Sequence, residues 1–294
     1  MTAAAGEPWS RGQWFAWAGV PLMLIVLTAV TVEVLGHGDL SDYGALQRDW
    51  FITINHALAS APGQIWSNLT LLGDGAVLLA LLSPLILWRP QAWGAMLGAA
   101  PFAGALSATA KHWFAMPRPA AVLDPQQINV IGDALTAHNS LPSGHALTIF
   151  TGLIALLAVL LPRPAGWRQW SVVAGGLLLA GVLCLSRIAV GAHWPLDLVV
   201  GAALGWVAGL LGAALSRRYA GWPQVRRGIT GRCLSVVILG LSIALLIRAA
   251  DTPPGPPALW LAGITAAAVA FCLLVGWPRQ PAQPSVISEP ARPG

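Results

Sequence analysis

Long apolar stretches separated by short polar breaks dominate the chain. Eight of them come near the roughly 20 residues that a membrane-spanning helix needs: 14–35, 66–88, 92–114, 143–161, 170–189, 195–215, 231–250 and 257–277. The pattern predicts an all-α, polytopic membrane helix bundle. The second stretch is the weakest, because Asp74 between Gly73 and Gly75 breaks its start. The first is longer than a signal-peptide core and no small-residue cleavage site follows it, so it is expected to be retained. Between them, Leu40, Tyr43, Trp50, Ile54 and Leu58 recur at helical spacing, with Asp42, Arg48, Asp49, Asn55 and His56 elsewhere around the wheel. That mixed face predicts a helix lying on the outer surface, as a connector or as a platform at the membrane interface.

Composition strengthens this picture. Of 294 residues, 56% are hydrophobic and 9% charged, against roughly 25% charged in soluble domains. The net charge of +5 raises the question of a nucleic-acid partner, but the basic residues hug the ends of the apolar stretches. With the N-terminus in the cytoplasm, Arg11, Arg89, Arg163, Arg168, Arg217, Arg218, Arg226, Arg227, Arg232, Arg279 and Arg292 fall inside, as the positive-inside rule requires. Arg48, Lys111, Arg118, Arg187 and Arg248 fall outside. Topology accounts for most of the basicity, and no nucleic acid is implied. Cys184, Cys233 and Cys272 lie singly within the apolar stretches and read as packing residues.

The basic inner loop 216–232 divides the chain. Residues 1–215 form an N-terminal tail and a six-span core; 216–294 hold the loop, two additional spans and a Pro-rich tail from 278, all in one membrane domain. The longest outer loop, 115–142, is of a length that is uncommon unless functional or mobile, and 251–257 is a tight outer turn. Both termini are expected on the cytoplasmic side of an inner membrane.

Three polar clusters interrupt the core: Lys111 to Pro119, Pro142 to His145 and Ser186 to Asp197. Counting crossings brings all three to the outer, periplasmic face, because the third and fifth spans end there and the fourth and sixth begin there. Ser143 reads as the cap of the fourth span and Gly144 leaves the backbone open, an arrangement that suits an anion. His145, in the first turn, is placed as a general acid. His193 and Asp197 are four apart, with Pro195 at a favoured early helix position. A carboxylate holding one ring nitrogen leaves the other as nucleophile, whether the helix includes His193 or starts at Pro195. Lys111, Arg118 and Arg187 would surround a phosphoryl group, the guanidiniums gripping its oxygens and the ammonium acting as a point charge.

Together these segments resemble the type-2 phosphatidic acid phosphatase superfamily. Its signature, K-x6-R-P, P-S-G-H and S-R-x5-H-x3-D, is matched by Lys111 with Arg118 and Pro119, by Pro142 to His145, and by Ser186 and Arg187 with His193 and Asp197. The resemblance implies a six-helix phosphatase core of the membrane lipid-phosphatase branch, working without metal or other cofactor. It assigns His193 to attack on phosphorus, Asp197 to its orientation and His145 to protonation of the leaving group. Lys111, Arg118, Ser143, Gly144 and Arg187 would bind the phosphate. The implied partner is a membrane lipid phosphate or diphosphate: undecaprenyl diphosphate, phosphatidic acid, phosphatidylglycerol phosphate or lipid A phosphate. The helix over 40–58 would then guide the lipid. The family often has an aromatic residue where this chain has Leu141, which bears on substrate detail.

Around the signature, Asp74 is expected to cap the second span or to support the cations, and His112 to sit at the interface. His138 and Asn139 are candidates to contact a headgroup, whereas Glu33, His37 and His56 are expected to be solvated. The same site would serve a lipid-to-lipid phosphotransferase, or a non-catalytic lipid-binding or transport protein, although binding alone needs no nucleophile. Neither the oligomeric state nor the purpose of the last two spans is readable from the residues.

Overall fold

The computed structural model describes residues 11–35, 42–161, 166–219, 221, 228–252 and 254–276. Arg163, Arg226, Arg227, Arg279, Arg292, His37, residues 220 and 222–227 of the basic inner loop and the tail from 278 lie outside them, as does the side chain of Arg11. Twelve α-helices and no strand occur among the described residues. They are α1 (Arg11–Leu35), α2 (Tyr43–Leu58), α3 (Gly63–Leu71), α4 (Gly75–Leu81), α5 (Leu85–Trp88), α6 (Pro90–Phe114), α7 (Pro119–Val122), α8 (Gly144–Leu160), α9 (Trp167–Ala189), α10 (Pro195–Arg218), α11 (Gly228–Ala250) and α12 (Pro257–Leu274). The chain is therefore an all-α, multi-pass membrane bundle. The segment Trp17–Leu35 and the helices α9, α10, α11 and α12 are each long and apolar enough to cross a bilayer. Shorter α8 is as apolar as α12 but has 17 residues, and α6 has the length but is diluted by glycine, alanine and polar residues.

The second expected span, 66–88, needs correction, because no single helix covers it. It is divided among α3, α4 and α5, with breaks at Leu72–Asp74 and Leu82–Pro84. Asp74 accepts the Ala76 and Val77 amides at 2.9 and 3.4 Å, starting a new helix instead of continuing the old one, and Pro84 has no N–H with which to continue a helix.

Helix α10 is the axis of the fold, packed on α8 and α6 with α1, α2 and α9 around it. In lipid there is little hydrophobic drive between helices, so close van der Waals packing over small residues holds such contacts. Gly201, Gly205 and Gly209 meet α8, and Gly212 meets α6. A Cβ on Gly205 would lie 2.3 Å from the Leu147 carbonyl oxygen, and one on Gly212 would lie 2.3 Å from that of Ala95. Contact at Gly212 buries α6 over Ala92–Met96 and at Ala99, but beyond Ala99 the helix is largely unburied. The divergence leaves a cavity of about 470 Å³ between α4, α6 and α8. The helices α11 and α12 pair with each other and lie against α4, sharing an apolar layer that includes Val77, Ile238, Leu245, Ala266 and Val269.

The loop 115–142 is fastened down by α2. Asn55 donates to the carbonyls of Asn129 and Ile188 at 3.0 and 2.8 Å and accepts the Asn129 amide at 2.7 Å. The face of α2 that is buried carries Tyr43, Gln47, Phe51 and Asn55. This face differs from the apolar set expected from sequence: it shares Tyr43 with that set, while Trp50 is exposed.

Replacing Gly205 by alanine should force α8 and α10 apart and cost about 1–3 kcal/mol, as overpacking does. Thermal unfolding in detergent checks this, with Gly175→Ala, where a Cβ meets nothing within 4 Å, as the variant expected to be near neutral.

Candidate active site

Four helix ends meet at one end of the bundle. Lys111 is in the last turn of α6, His145 in the first turn of α8, Arg187 in the last turn of α9, and Asp197 in the first turn of α10. His193 lies two residues before Pro195, where α10 begins, so its ring must fold back towards Asp197. Backbone links hold the ends together. Ser143 N–H donates to the Asp197 carbonyl at 3.0 Å, and Ser140 N–H to the Met116 carbonyl at 2.9 Å.

Asp197 is wholly buried, which is costly for a carboxylate unless its oxygens are hydrogen-bonded. Four donors satisfy it. Oδ1 accepts from the Tyr43 hydroxyl at 2.9 Å. Oδ2 accepts from the Ser140 hydroxyl, from the Trp194 amide at 2.9 Å and from His193 Nδ1 at 3.2 Å. Burial, and next the facing Asp197 charge, push the Tyr43 phenol well above its usual range, so it stays a donor. Tyr43 and Ser140 escaped the sequence reading. Tyr43 counted as an apolar position on a surface helix, and Ser140 precedes the P-S-G-H segment without belonging to it.

The neighbours of His193 assign its tautomer. Asp197 can only accept, so Nδ1 carries the proton; Arg118 can only donate, and its Nη1 lies 3.4 Å from Nε2. Nε2 therefore presents a lone pair toward the guanidinium. Burial pushes the His193 pKa down to about 4; Asp197 opposes this, while Arg187 and Arg118 reinforce it. At neutral pH the ring is uncharged.

The cations converge on the same place. Arg118 is held by the Ala192 carbonyl at 3.1 Å and by Asn139 Oδ1 at 2.8 Å, and burial lowers its pKa. Asn139 thus holds an arginine, a different duty from the headgroup contact expected of it. Arg187 donates from Nη1 to Thr70 Oγ1 at 2.6 Å, while its buried Nε makes no hydrogen bond among the described residues. Lys111 Nζ stands 3.8 Å from where a Gly144 Cβ would be, and its charge feels both Arg118 and Arg187. Ser143 Oγ accepts the Ala146 amide at 3.4 Å, which is capping, and Ser143 is fully buried. The N–H of Ser143 is already committed to the Asp197 carbonyl.

His145 is half-buried and lines the 470 Å³ cavity together with Gly144. One side of the residue is covered by Gly73, where a Cβ would fall 2.8 Å from His145 Cβ. Asp74 does not reach Lys111, Arg118 or Arg187 by hydrogen bond; it caps α4 and pairs with Arg248 at 2.8 Å. His112, His138 and His56 are exposed, and a ring nitrogen of His56 meets the Gln127 carbonyl at 3.0 Å.

Comparison with known proteins bears on this arrangement. An "Undecaprenyl-diphosphatase" of Sulfolobus acidocaldarius is 42% identical over 69 residues, which is 23% of this chain and 30% of that protein. YbjG of Escherichia coli K12, whose name assigns it provisionally to the undecaprenyl-diphosphatases, is 36% identical over 100 residues, 30% of this chain and 45% of that protein. The chain thus aligns with less than half the length of either curated relative. The crystal structure of Aquifex aeolicus LpxE overlays with a TM-score of 0.47 at 28% identity, covering 59% of this chain and 96% of that one. The sequence model of the PAP2 superfamily matches residues 92–221, the segment that holds Lys111, Arg118, Ser143, Gly144, His145, Arg187, His193 and Asp197. The resemblance to the PAP2 superfamily is carried by that segment.

Proposed function

We propose that the protein is a phosphatase that removes phosphate from a membrane lipid phosphate or diphosphate through a phosphohistidine, without a metal ion. The observation that carries this reading is the environment of His193: uncharged, held at Nδ1 by Asp197, and presenting Nε2 beside Arg118. In the first step, Nε2 attacks phosphorus, the bond from phosphorus to the leaving oxygen breaks, and protonated His145 gives that oxygen its proton. His193 gains charge in this step, which Asp197 offsets. In the second, water attacks phosphorus, His145 takes the water proton, and the P–N bond breaks to release phosphate. Lys111, Arg118 and Arg187 supply positive charge where the phosphoryl oxygens gather it, the main catalytic demand of such a transfer. The unsatisfied Nε of buried Arg187 fits this task, since a buried donor wants an acceptor.

The cavity between α4, α6 and α8 supports a lipid substrate. It is lined by Gly144 and His145 together with Leu78, Leu79, Met96, Ala100 and Ala103, so an apolar chain lying between helices would have its phosphate beside the cations. Among undecaprenyl diphosphate, phosphatidic acid, phosphatidylglycerol phosphate and lipid A phosphate, the names of the two relatives favour undecaprenyl diphosphate. The site faces the periplasm from an inner membrane, with both termini in the cytoplasm. Residues 1–215 form the catalytic core and 216–294 an extension of the same membrane domain.

Purified protein should release phosphate from undecaprenyl diphosphate in the presence of EDTA, faster than from the other three lipids, and His193→Ala should lower the rate on the order of 10³-fold or more. Full activity in that variant would sink the mechanism. The pH profile of kcat/KM gives a second test. Below its pKa His193 holds a proton on Nε2 and cannot attack, so activity should fall as acid is added. With burial holding the pKa at about 4, that limb should lie near pH 4, not near the ~6.5 of an unperturbed imidazole, once the substrate's own titration is subtracted. For sidedness, a reporter fused after Gly294 should read cytoplasmic, and a periplasmic signal would overturn the assignment.

A further inference from the structure

The loop between α3 and α4 links the site to the last two helices. Asp74 Oδ1 caps α4, and Oδ2 takes Arg248 Nη1, from the last turn of α11, at 2.8 Å. Directly before Asp74, Gly73 lies so flat on His145 that a Cβ would come within 2.8 Å of His145 Cβ and 2.9 Å of its ring Cδ2. Gly73, Asp74 and Gly75 share one cavity wall with Gly144 and His145. The negative charge of Asp74 also reaches His145. Thus a three-residue turn touches the proposed acid on one side and is tied to α11 on the other.

This turn has little rigidity of its own. It precedes a helix of only seven residues, and helices that short are marginal without packing. The packing comes from behind, where α11 and α12 share an apolar layer with α4. That layer resists separation but is non-directional. The Arg248–Asp74 pair adds direction, and because both partners are partly exposed it adds little to stability. Its removal should therefore leave the fold standing and change the turn. Without Arg248, Oδ2 of Asp74 is free to draw the His145 proton toward itself and away from a leaving oxygen.

We infer that the C-terminal helix pair braces leaving-group protonation, with Arg248 a positioning residue that acts on His145 through Asp74 and Gly73. This rests on the role of His145 proposed above, and it gives residues 228–274 a part in the reaction.

The test compares two leaving groups with the full chain in detergent. Dodecyl phosphate expels an alkoxide that needs a proton, whereas 4-nitrophenyl phosphate expels a stable anion that does not. Arg248→Ala should lower kcat/KM for dodecyl phosphate about tenfold or more, within the 10²–10⁴ that general acid catalysis supplies, and leave 4-nitrophenyl phosphate within about twofold. Arg248→Lys keeps a cation for the single contact to Oδ2 and should recover most of the loss. Equal losses on both substrates, no loss on either, or failure of lysine to restore the first would overturn the inference. His193→Ala separates this from the underlying reading: it should abolish turnover of both substrates, and its retention of activity would remove the phosphohistidine mechanism itself.

Discussion

A buried carboxylate sets the terms for this structure. Asp197 lies at the start of the most central helix with no solvent to stabilise its charge, and it is tolerated because donors from three directions meet it. Tyr43 comes from α2, Ser140 from the loop 115–142, and His193 and the Trp194 amide from the turn that enters α10. Hydrogen bonds to a charged acceptor are roughly twice as strong as neutral ones, and leaving such an acceptor unmatched is expensive. Satisfying Asp197 thus draws loop, surface helix and core together and, in the same act, orients His193. Gln47 extends the arrangement, accepting the Leu196 amide at 2.7 Å.

Holding the rest in place is a matter of approach distance. Glycine on α10 lets the backbone of α8 come close enough for Ser143 to donate to the Asp197 carbonyl, since Gly201 has that same Ser143 carbonyl oxygen 2.6 Å from where its Cβ would be. Further along, Gly212 fixes α6 at one end only, and α6 diverges toward the other. The cavity beside His145 follows from that asymmetry. Packing that gathers the candidate site and the space beside it are therefore two results of one glycine pattern.

Much of the candidate site was legible from residue order, because its members sit at the ends of apolar stretches and crossing parity sends those ends to one face. What escaped was the support around it. Tyr43, Gln47 and Asn55 share one buried face of α2, yet in sequence two of them look like the solvated side of an amphipathic helix. The G-x-x-x-G-x-x-x-G run at Gly201, Gly205 and Gly209 was visible, but small residues in an apolar helix do not announce which neighbour they meet. The break at Asp74 was visible too, and its strength was underestimated: a carboxylate that can satisfy two amides starts a new helix.

The sequence by itself determined that this chain crosses a membrane many times and that lysine, arginine, histidine and aspartate from three segments share one end. Hydropathy and helix length are local properties, and both survive being read one residue at a time. The tertiary structure decided which groups touch: that Tyr43 and Ser140 hold Asp197, that Asn139 holds Arg118, and that Arg248, more than 100 residues beyond His145, meets the turn lying against it. Those choices depend on distances across the bundle, which a side chain's chemistry permits but does not specify until neighbouring helices have packed.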